Sequence, residues 1–345
     1  MRETKLGKSG LRVSAVGFGG IPIQRLSDEE AVAVVRKSLD LGVTFIDTAA
    51  GYSDSESKIG KAIDGRRDGL VLATKSGSAA RDGVLKDIRQ SLRALRTDVI
   101  DLFQFHGISD MDNWERITGP DGALEGVLEA QRKGDVAHVG FTSHSLDTAL
   151  KLVEEEIFET VQFPFNLVTS EPADKLIPRA RERNLGFIAM KPLCGGQYDN
   201  AGLAFKFLNG FPDIVPIPGI ETVEEIEEVV GVVASGALLE GADKERAEKI
   251  AADLGKLFCR RCGYCEPCPQ GVPIQTAMNL DGLCKRLPPA SIAGWVAGRL
   301  AEEGTECTEC GECEEKCPYD LPIIETVKAS VEKAKIIMAD LEARS

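Results

Sequence analysis

Eight cysteines near the end of the chain have the spacing of metal ligands. They lie in two runs, "CRRCGYCEPCP" (259–269) and "CTECGECEEKCP" (307–318). Each run places three cysteines two residues apart and a fourth directly before a proline, so the runs are two copies of one unit. Because disulfides are rare in the cytosol, clustered thiols in a sequence without a visible secretory signal indicate a metal site.

Iron and zinc both bind such thiols, and the spacing helps to separate them. Zinc sites usually pair two C-x-x-C knuckles. The second run instead follows C-x2-C-x2-C-x3-C-P, the pattern that binds [4Fe–4S] clusters, and the first run has two residues rather than three before its last cysteine. We expect two [4Fe–4S] clusters and keep zinc as the alternative. The region 259–325 resembles dicluster bacterial-type ferredoxin domains.

The same pattern predicts which cysteines share a cluster. In two-cluster ferredoxins the fourth cysteine of each run ligates the cluster of the other run. The predicted ligands of the first cluster are Cys259, Cys262, Cys265 and Cys317, and those of the second are Cys307, Cys310, Cys313 and Cys268. Cys194 and Cys284 lie outside both runs, and we expect them to be small packed side chains.

Four side chains that hold or transfer protons follow successive strand-like runs early in the chain. They are Asp47, Tyr52, Lys75 and His106. A phenol is a weak acid at neutral pH, and a nearby ammonium group makes it a better one by favouring the phenolate. Asp47 would hold Lys75 in place, and His106 would polarise a substrate oxygen. Each residue alone has a purely structural explanation, but together they predict reduction of a carbonyl with Tyr52 as proton donor.

These groups need strands to position them, and the first 220 residues contain eight strand-like runs separated by amphipathic helical runs. A helix over 27–42 begins with a capping box of Ser27 and Glu30, and Thr222 with Glu225 repeats the device. Eight alternating strands and helices predict a (β/α)8 TIM barrel. A doubly wound sheet is the runner-up, but no G-x-G-x-x-G motif follows a strand. The predicted strands cover 12–20, 42–49, 69–77, 98–106, 136–144, 159–166, 185–192 and 213–219.

The chain is therefore expected to form a barrel and a smaller domain. We predict the barrel over 1–239, a connecting helix over 240–258 and a mainly α-helical ferredoxin-like domain over 259–345. Within the barrel, the segment 107–122 is the longest one without a helical pattern. Its Trp114 would either line the substrate pocket or cap the loop as an exposed aromatic residue.

Three segments resemble the aldo-keto reductases closely: "FIDTAAGYSDSESKIGKAI" (45–63), "LATKS" (72–76) and "DLFQFH" (101–106). The resemblance places that family's catalytic tetrad on Asp47, Tyr52, Lys75 and His106. It implies a nicotinamide cofactor laid across the barrel mouth without a Rossmann motif. Aldo-keto reductase barrels with ferredoxin-like tails form a subgroup, and the whole chain is similar to that subgroup.

The resemblance also implies where the cofactor binds. Contacts to the nicotinamide amide fall on Thr142, Ser143 and Gln162. The family often carries a lysine and an arginine for the 2′-phosphate of NADP, and this chain has Gly219 and Glu225 at those places. A phosphate requires a cation rather than a carboxylate, which favours NAD(H) over NADP(H).

Composition limits the partners. The 43% hydrophobic and 28% charged residues are typical of a soluble globular protein. The net charge of −14 argues against nucleic acid and anionic membranes as partners. The longest apolar run, 229–239, is too short to cross a bilayer. We expect a cytoplasmic protein that acts on a small-molecule carbonyl or alcohol.

Three functions remain open at this level, because a nicotinamide transfers two electrons as a hydride and an iron–sulfur cluster takes one at a time. In the first, the barrel is a nicotinamide-dependent oxidoreductase and the clusters are structural or regulatory. In the second, the clusters relay electrons between an electron-carrier protein and a flavin or substrate in the barrel. In the third, the protein is a redox sensor or accessory subunit without catalysis.

Overall fold

The computed structural model describes residues 1–342. Within them the chain forms two compact units, one ending at Lys244 and the other beginning at Glu245. The predicted boundaries at 239 and 258 stay predictions. The last predicted domain runs to residue 345, and its final three residues lie outside the described part of the chain.

A parallel sheet of eight strands forms the centre of the first unit as described. Neighbouring strands follow chain order, and hydrogen bonds from Gly17 N to Pro216 O (2.9 Å) and from Gly19 N to Pro218 O (2.8 Å) join its two edges. The sheet is therefore a closed barrel, which confirms the (β/α)8 prediction. An antiparallel pair, β1 (Glu3–Lys5) and β2 (Arg12–Ser14), precedes the barrel strands β3 (Phe18–Gly19), β4 (Phe45–Asp47), β5 (Val71–Ser76), β6 (Ile100–Phe105), β7 (Val136–Thr142), β8 (Thr160–Pro164), β9 (Gly186–Met190) and β10 (Ile214–Ile217).

Apolar side chains fill the lower part of the barrel. Phe45, Leu102, Ile188 and Val215 come from four different strands and belong to one buried cluster. Leu6, from the turn between β1 and β2, is fully buried in the same cluster and closes the N-terminal end of the barrel. Functional groups are thereby confined to the opposite end, where the strands finish.

Helices cover the outside of the barrel. Both predicted capping boxes are present: Ser27 with Glu30 and Thr222 with Glu225 each exchange two hydrogen bonds. The helices of the first unit are α1 (Asp28–Asp40), α2 (Ser55–Ala62), α3 (Arg81–Leu95), α4 (Met111–Thr118), α5 (Ala123–Lys133), α6 (Leu146–Leu152), α7 (Leu176–Glu182), α8 (Ala201–Leu208) and α9 (Val223–Ser235), and α10 (Gly241–Gly255) follows them.

One expectation about the barrel is wrong. The segment 107–122 contains α4, which begins because the Asp110 carboxylate accepts a hydrogen bond from Asn113 N (2.7 Å). Trp114 on this helix is 6% exposed and packs on Phe158, with ring centroids 5.1 Å apart, and on Phe105. It is therefore not an exposed cap, and its part in the substrate pocket stays a prediction. The helix is short and mostly polar, so its periodicity is too weak to see in sequence.

The second unit is helical in its described residues. Its core is formed mainly by apolar residues of the last helix and of the segments that pack on it, including Val327, Val331, Leu300 and Val296. Its elements are α11 (Ile274–Met278), α12 (Leu280–Arg286), α13 (Pro289–Ser291), a π-helical segment (Ile292–Gly298), α14 (Arg299–Glu303), α15 (Glu312–Glu315) and α16 (Ile323–Glu342). Across residues 1–342, the helices fall short of the combined length and apolarity that a bilayer span requires.

Candidate functional site

The four predicted catalytic residues lie together where successive barrel strands end. Asp47 is the last residue of β4, Lys75 lies near the end of β5, and His106 follows β6. Tyr52 lies in the loop before α2, with its ring centroid 5.2 Å from Lys75 Nζ and 5.7 Å from the His106 ring. The rings of Tyr52 and His106 meet edge to face at 81°. This arrangement is the one expected from sequence, and the catalytic roles stay predictions.

Lys75 and Asp47 form a buried ion pair. Lys75 Nζ donates hydrogen bonds to Asp47 Oδ1 (2.6 Å) and to the carbonyl oxygen of Thr48 (2.7 Å), and the two charged side chains are 1% and 4% exposed. Burial by itself lowers the pKa of Lys75, but the neighbouring Asp47 carboxylate outweighs it and holds the pKa above the ordinary lysine value. Lys75 is therefore a fixed positive charge beside the Tyr52 ring.

Gln104 completes the environment of Asp47, and the sequence analysis missed it. Its Nε2 donates to Asp47 Oδ2 at 3.1 Å, so both carboxylate oxygens have a donor. Gln104 lies on β6 two residues before His106, which places both side chains on the interior side of that strand. A polar residue two positions after the apolar Leu102, in the same interior register of the strand, is the sequence signal that could have identified it.

Two further charged side chains, also missed, hold the loop that carries Tyr52. Glu56 on α2 is 7% exposed and accepts a hydrogen bond from Thr74 Oγ1 of β5 (2.6 Å). Burial raises the pKa of Glu56. Lys58 on the same helix is buried and donates to the carbonyl oxygens of Ile23 (3.1 Å) and Leu26 (2.7 Å). These bonds tie α2 to β5 and to the first loop at the barrel mouth.

The residues predicted to contact the nicotinamide amide are all buried and lie in or directly after neighbouring strands. Thr142 Oγ1 accepts a hydrogen bond from Gly107 N (2.7 Å), and Ser143 Oγ donates to Ile108 O (2.8 Å). Both hydroxyls thus hold the loop after β6. Gln162 hydrogen-bonds Asp47, and its amide oxygen is buried without a hydrogen-bond partner among residues 1–342. That oxygen is suited to accept a hydrogen bond from a bound ligand, for example from the NH2 of a carboxamide.

The last loop of the barrel and the first turn of α9 contain the two residues that bear on the choice of cofactor. Gly219 pairs with Gly19 at the barrel seam, and a Cβ at Gly219 would lie 2.7 Å from Pro22 Cγ. The Glu225 carboxylate accepts hydrogen bonds from Glu221 N (2.7 Å) and Thr222 N (3.2 Å). A carboxylate therefore already occupies the backbone donors at the start of α9.

The cysteines of the two runs line two cavities in the second unit. One cavity is lined by Cys259, Cys262, Cys265 and Cys317. The other is lined by Cys268, Cys307, Cys310 and Cys313, and Cys265 borders it as well. Both groupings agree with the crossed pattern expected from sequence, in which the last cysteine of each run belongs to the other group. The assignment of these thiols as ligands stays a prediction.

Burial strongly affects the thiols of the first group. Burial is the main cause that raises the pKa of Cys265 to about 12 and also raises that of Cys262, so holding thiolates here requires a metal. A zinc ion needs all its ligands about 2.3 Å from one point. In residues 1–342 no three His, Cys, Asp or Glu side chains are gathered closely enough for one ion.

The two remaining cysteines are packed side chains, as expected. Cys194 is 1% exposed in a short turn after β9. Cys284, on α12, is half-buried and packs against the core of the second unit. Neither residue lines either of the two thiol cavities.

Family comparisons match both parts of the chain. The model of the aldo/keto reductase family matches residues 15–204, and a 4Fe-4S dicluster domain matches residues 258–322. Two relatives from Bacillus subtilis are each 28% identical: the uncharacterized oxidoreductase YqkF over 210 residues and the aldo-keto reductase YhdN over 216. Each alignment covers 57% of this chain, and it spans 66% of YqkF and 63% of YhdN, less than two thirds of either relative.

Solved structures show the same barrel fold. The aldo-keto reductase AKR11C1 from Bacillus halodurans is 21% identical with a TM-score of 0.63. An aldo/keto reductase from Klebsiella pneumoniae, solved in complex with NADP and acetate, is 22% identical with a TM-score of 0.61. Both comparisons cover 73% of this chain and 96% of the other.

Proposed function

This chain belongs to the aldo/keto reductase family, and on that basis we propose that its barrel interconverts small-molecule carbonyls and alcohols with a nicotinamide cofactor. The observation that carries this proposal is the buried Lys75–Asp47 pair, which holds a positive charge beside the Tyr52 ring. A buried ion pair contributes little to stability compared with apolar packing, so its presence at the strand ends favours a chemical role.

Each residue of the tetrad has a distinct part in the proposed reaction. A bound reduced nicotinamide supplies the hydride to the carbonyl carbon. Tyr52 donates its proton to the carbonyl oxygen, and the ammonium of Lys75 stabilises the phenolate that remains. An ammonium has three N–H donors; Asp47 and Thr48 accept two, which leaves one for the Tyr52 oxygen. His106, edge to face with Tyr52, donates to the same substrate oxygen and fixes its direction.

The proposed cofactor contacts follow from the hydrogen bonds that these residues already make. Gln162 accepts from the carboxamide through its amide oxygen. Thr142 Oγ1 accepts from Gly107 N and, as a hydroxyl, still has a proton to donate. Ser143 holds the loop after β6 through its hydrogen bond to the carbonyl oxygen of Ile108. We propose NAD(H) rather than NADP(H), because Gly219 provides no cation and Glu225 places a carboxylate where the 2′-phosphate would need a cation.

Substitution of Tyr52 tests the reductase proposal. We expect Tyr52→Phe to lower kcat for aldehydes and ketones by roughly 10²-fold or more, because the proton donor is lost while the ring remains. The Kd for NADH, measured by fluorescence, should be unchanged, and wild type should bind NADH more tightly than NADPH. Unchanged turnover of every accepted substrate would overturn the reductase proposal and leave the sensor or accessory role.

A relay function is the second candidate, and the match to a dicluster domain supports it. Bound clusters would supply one-electron transfer, which an electron-carrier protein can provide and a flavin could couple to two-electron chemistry. The partly exposed thiol loops suit a reducing cytoplasm. The test is an anaerobic visible spectrum before and after addition of NADH or NADPH. Flavin bands, or bleaching of the cluster absorption by reduced nicotinamide, would support the relay, and an unmoved flavin-free spectrum would contradict it.

A further inference from the structure

The two thiol loops have matching backbones at equivalent positions. Arg261 and Glu309 occupy the same place in the two runs and are both left-handed, with φ of 63° and 58°. Two residues later, Gly263 and Gly311 have φ of 87° and 85°. The first turns of the two loops therefore have the same backbone, so a difference between the two groups at these positions comes from the side chains.

Those side chains differ in charge. At one equivalent position the first loop has an arginine, Arg261, and the second has a glutamate, Glu309; one residue earlier, Arg260 corresponds to Thr308. The lining of the first cavity includes two arginines and, among the described residues, no acidic side chain. The lining of the second includes Glu309 and Glu312 against a single cation, Lys316.

Arg260 is the cation of the first lining that the protein holds in its interior. It is 9% exposed, and its Nη1 donates to the carbonyl oxygens of Gly255 (2.9 Å) and Phe258 (3.0 Å). Its guanidinium lies 3.9 Å from the centre of the Tyr319 ring. A guanidinium stays charged at any ordinary pH. A buried charge is also much less screened by solvent than exposed ones such as Glu309.

We propose that the cluster bound by Cys259, Cys262, Cys265 and Cys317 has the higher reduction potential of the two. The positive charge of Arg260 is the main cause of the difference between the two potentials. Reduction adds one negative charge to a cluster, and a nearby fixed cation stabilises that charge. When a one-electron donor is oxidised, its electron reduces this cluster first, with no bond made or broken. The inference rests on the proposed occupation of both cavities by [4Fe–4S] clusters.

An anaerobic redox titration of the full-length holoprotein, followed by electron paramagnetic resonance with dithionite as reductant, tests this assignment. Wild type should show two distinct potentials. We expect Arg260→Gln to weaken the first reduction about tenfold, which is about 59 mV for a one-electron couple, and to leave the second unchanged. Arg260→Lys should restore most of the difference because it restores the charge.

Two variants of the neighbouring charges serve as controls. Glu309→Gln should raise only the lower potential, and by less, because Glu309 is exposed. Arg261→Gln should also lower the higher potential, and it leaves the buried contacts of Arg260 in place. If Arg260→Gln fails to fold, Arg261→Gln is measured in its place. A first potential unmoved in these arginine variants, or an equal shift of both potentials, would overturn the inference. The iron and sulfide contents of wild type are assayed first. If both are absent, the proposed clusters are contradicted, and so is the inference about Arg260, which rests on them.

Discussion

At the scale of single residues, the barrel site depends on one buried cation and the acceptors that fix it. Lys75 has the Asp47 carboxylate and the Thr48 carbonyl as partners, and Gln104 supplies the other carboxylate oxygen with a donor. Removing one member of such a pair leaves an uncompensated charge in the interior. A substitution in this pair should therefore change both the free energy of unfolding and the catalytic rate.

We expect Lys75→Met to destabilise the protein by about 3–5 kcal/mol, because the Asp47 charge then lacks its partner. The double variant Asp47→Asn with Lys75→Met should be more stable than Lys75→Met alone and equally inactive. Urea unfolding followed by circular dichroism measures both. A double variant no more stable than the single one would contradict the ion-pair argument.

The pH dependence of that loss follows from the raised pKa of Lys75. A raised pKa in the folded state means that the stabilisation is fully present below the unfolded pKa and disappears only as pH rises through the folded pKa. The lone Asp47 carboxyl left in Lys75→Met behaves differently, because burial raises its pKa. The stability difference between wild type and Lys75→Met should therefore grow as pH rises above the ordinary aspartate pKa and level off where the buried carboxyl ionises. Urea unfolding at several pH values measures this difference.

The candidate catalytic residues could be predicted from the sequence, but the residues that hold them in place could not. Asp47, Tyr52, Lys75 and His106 are identifiable because each follows a strand, and strand ends meet at one end of a barrel. Lys58 and Glu56 are not identifiable in this way, because their partners come from other elements of the chain. Only the three-dimensional structure shows that these two side chains hydrogen-bond other elements.

At the scale of elements, the strands were predictable and one helix was not. All eight strand-like runs contain a barrel strand because each is apolar and ends in a residue that interrupts it. Helix α4 is fixed by the Asp110 cap and by packing of Trp114 on aromatic side chains of the barrel wall. Tertiary contacts of that kind leave no periodic pattern in a short polar segment.

Helices α2 and α3 approach each other so closely at Gly60 that a side chain has no room. A Cβ at Gly60 would lie 2.1 Å from the carbonyl oxygen of Ala94. We expect Gly60→Ala to cost about 1–3 kcal/mol and to lower activity, because α2 follows the Tyr52 loop.

Gly231, on α9, is the matched control because it is exposed and a Cβ there meets nothing within 4 Å. Gly231→Ala should stabilise the protein by roughly 0.5–1 kcal/mol through helix propensity alone. Thermal unfolding of the two variants measures this contrast. Equal effects from both substitutions would show that the α2–α3 contact is not the cause.

At the scale of the whole molecule, the described chain contains two units that are stabilised in different ways. The first is a barrel closed by backbone hydrogen bonds and filled by its own apolar core. The second buries fewer apolar side chains than the first among the described residues, and Cys265, Cys268, Cys307, Cys313 and Cys317 pack against its core. Small domains commonly need metals to supplement a limited core.

Removal of iron should therefore affect the two units unequally. After anaerobic treatment with a strong iron chelator, we expect proteolysis after residue 244 to accelerate roughly tenfold or more, because metal binding contributes to folding only where the ligands lie. Residues 1–244 should persist as a resistant fragment. Limited proteolysis with mass spectrometry identifies the fragments, and an unchanged cleavage pattern would contradict a stabilising role for the metal.

The paired backbone of the thiol loops makes their charges directly comparable. A non-glycine residue in the left-handed region costs about 1–2 kcal/mol, and both copies carry one at the same place, as Arg261 and Glu309. Both copies keep this strained shape although the side chain carries opposite charges, so the backbone conformation at this position does not depend on the sign of the charge. The protein thus carries opposite charges at one position of two matching turns, and their effects can be compared within the same molecule.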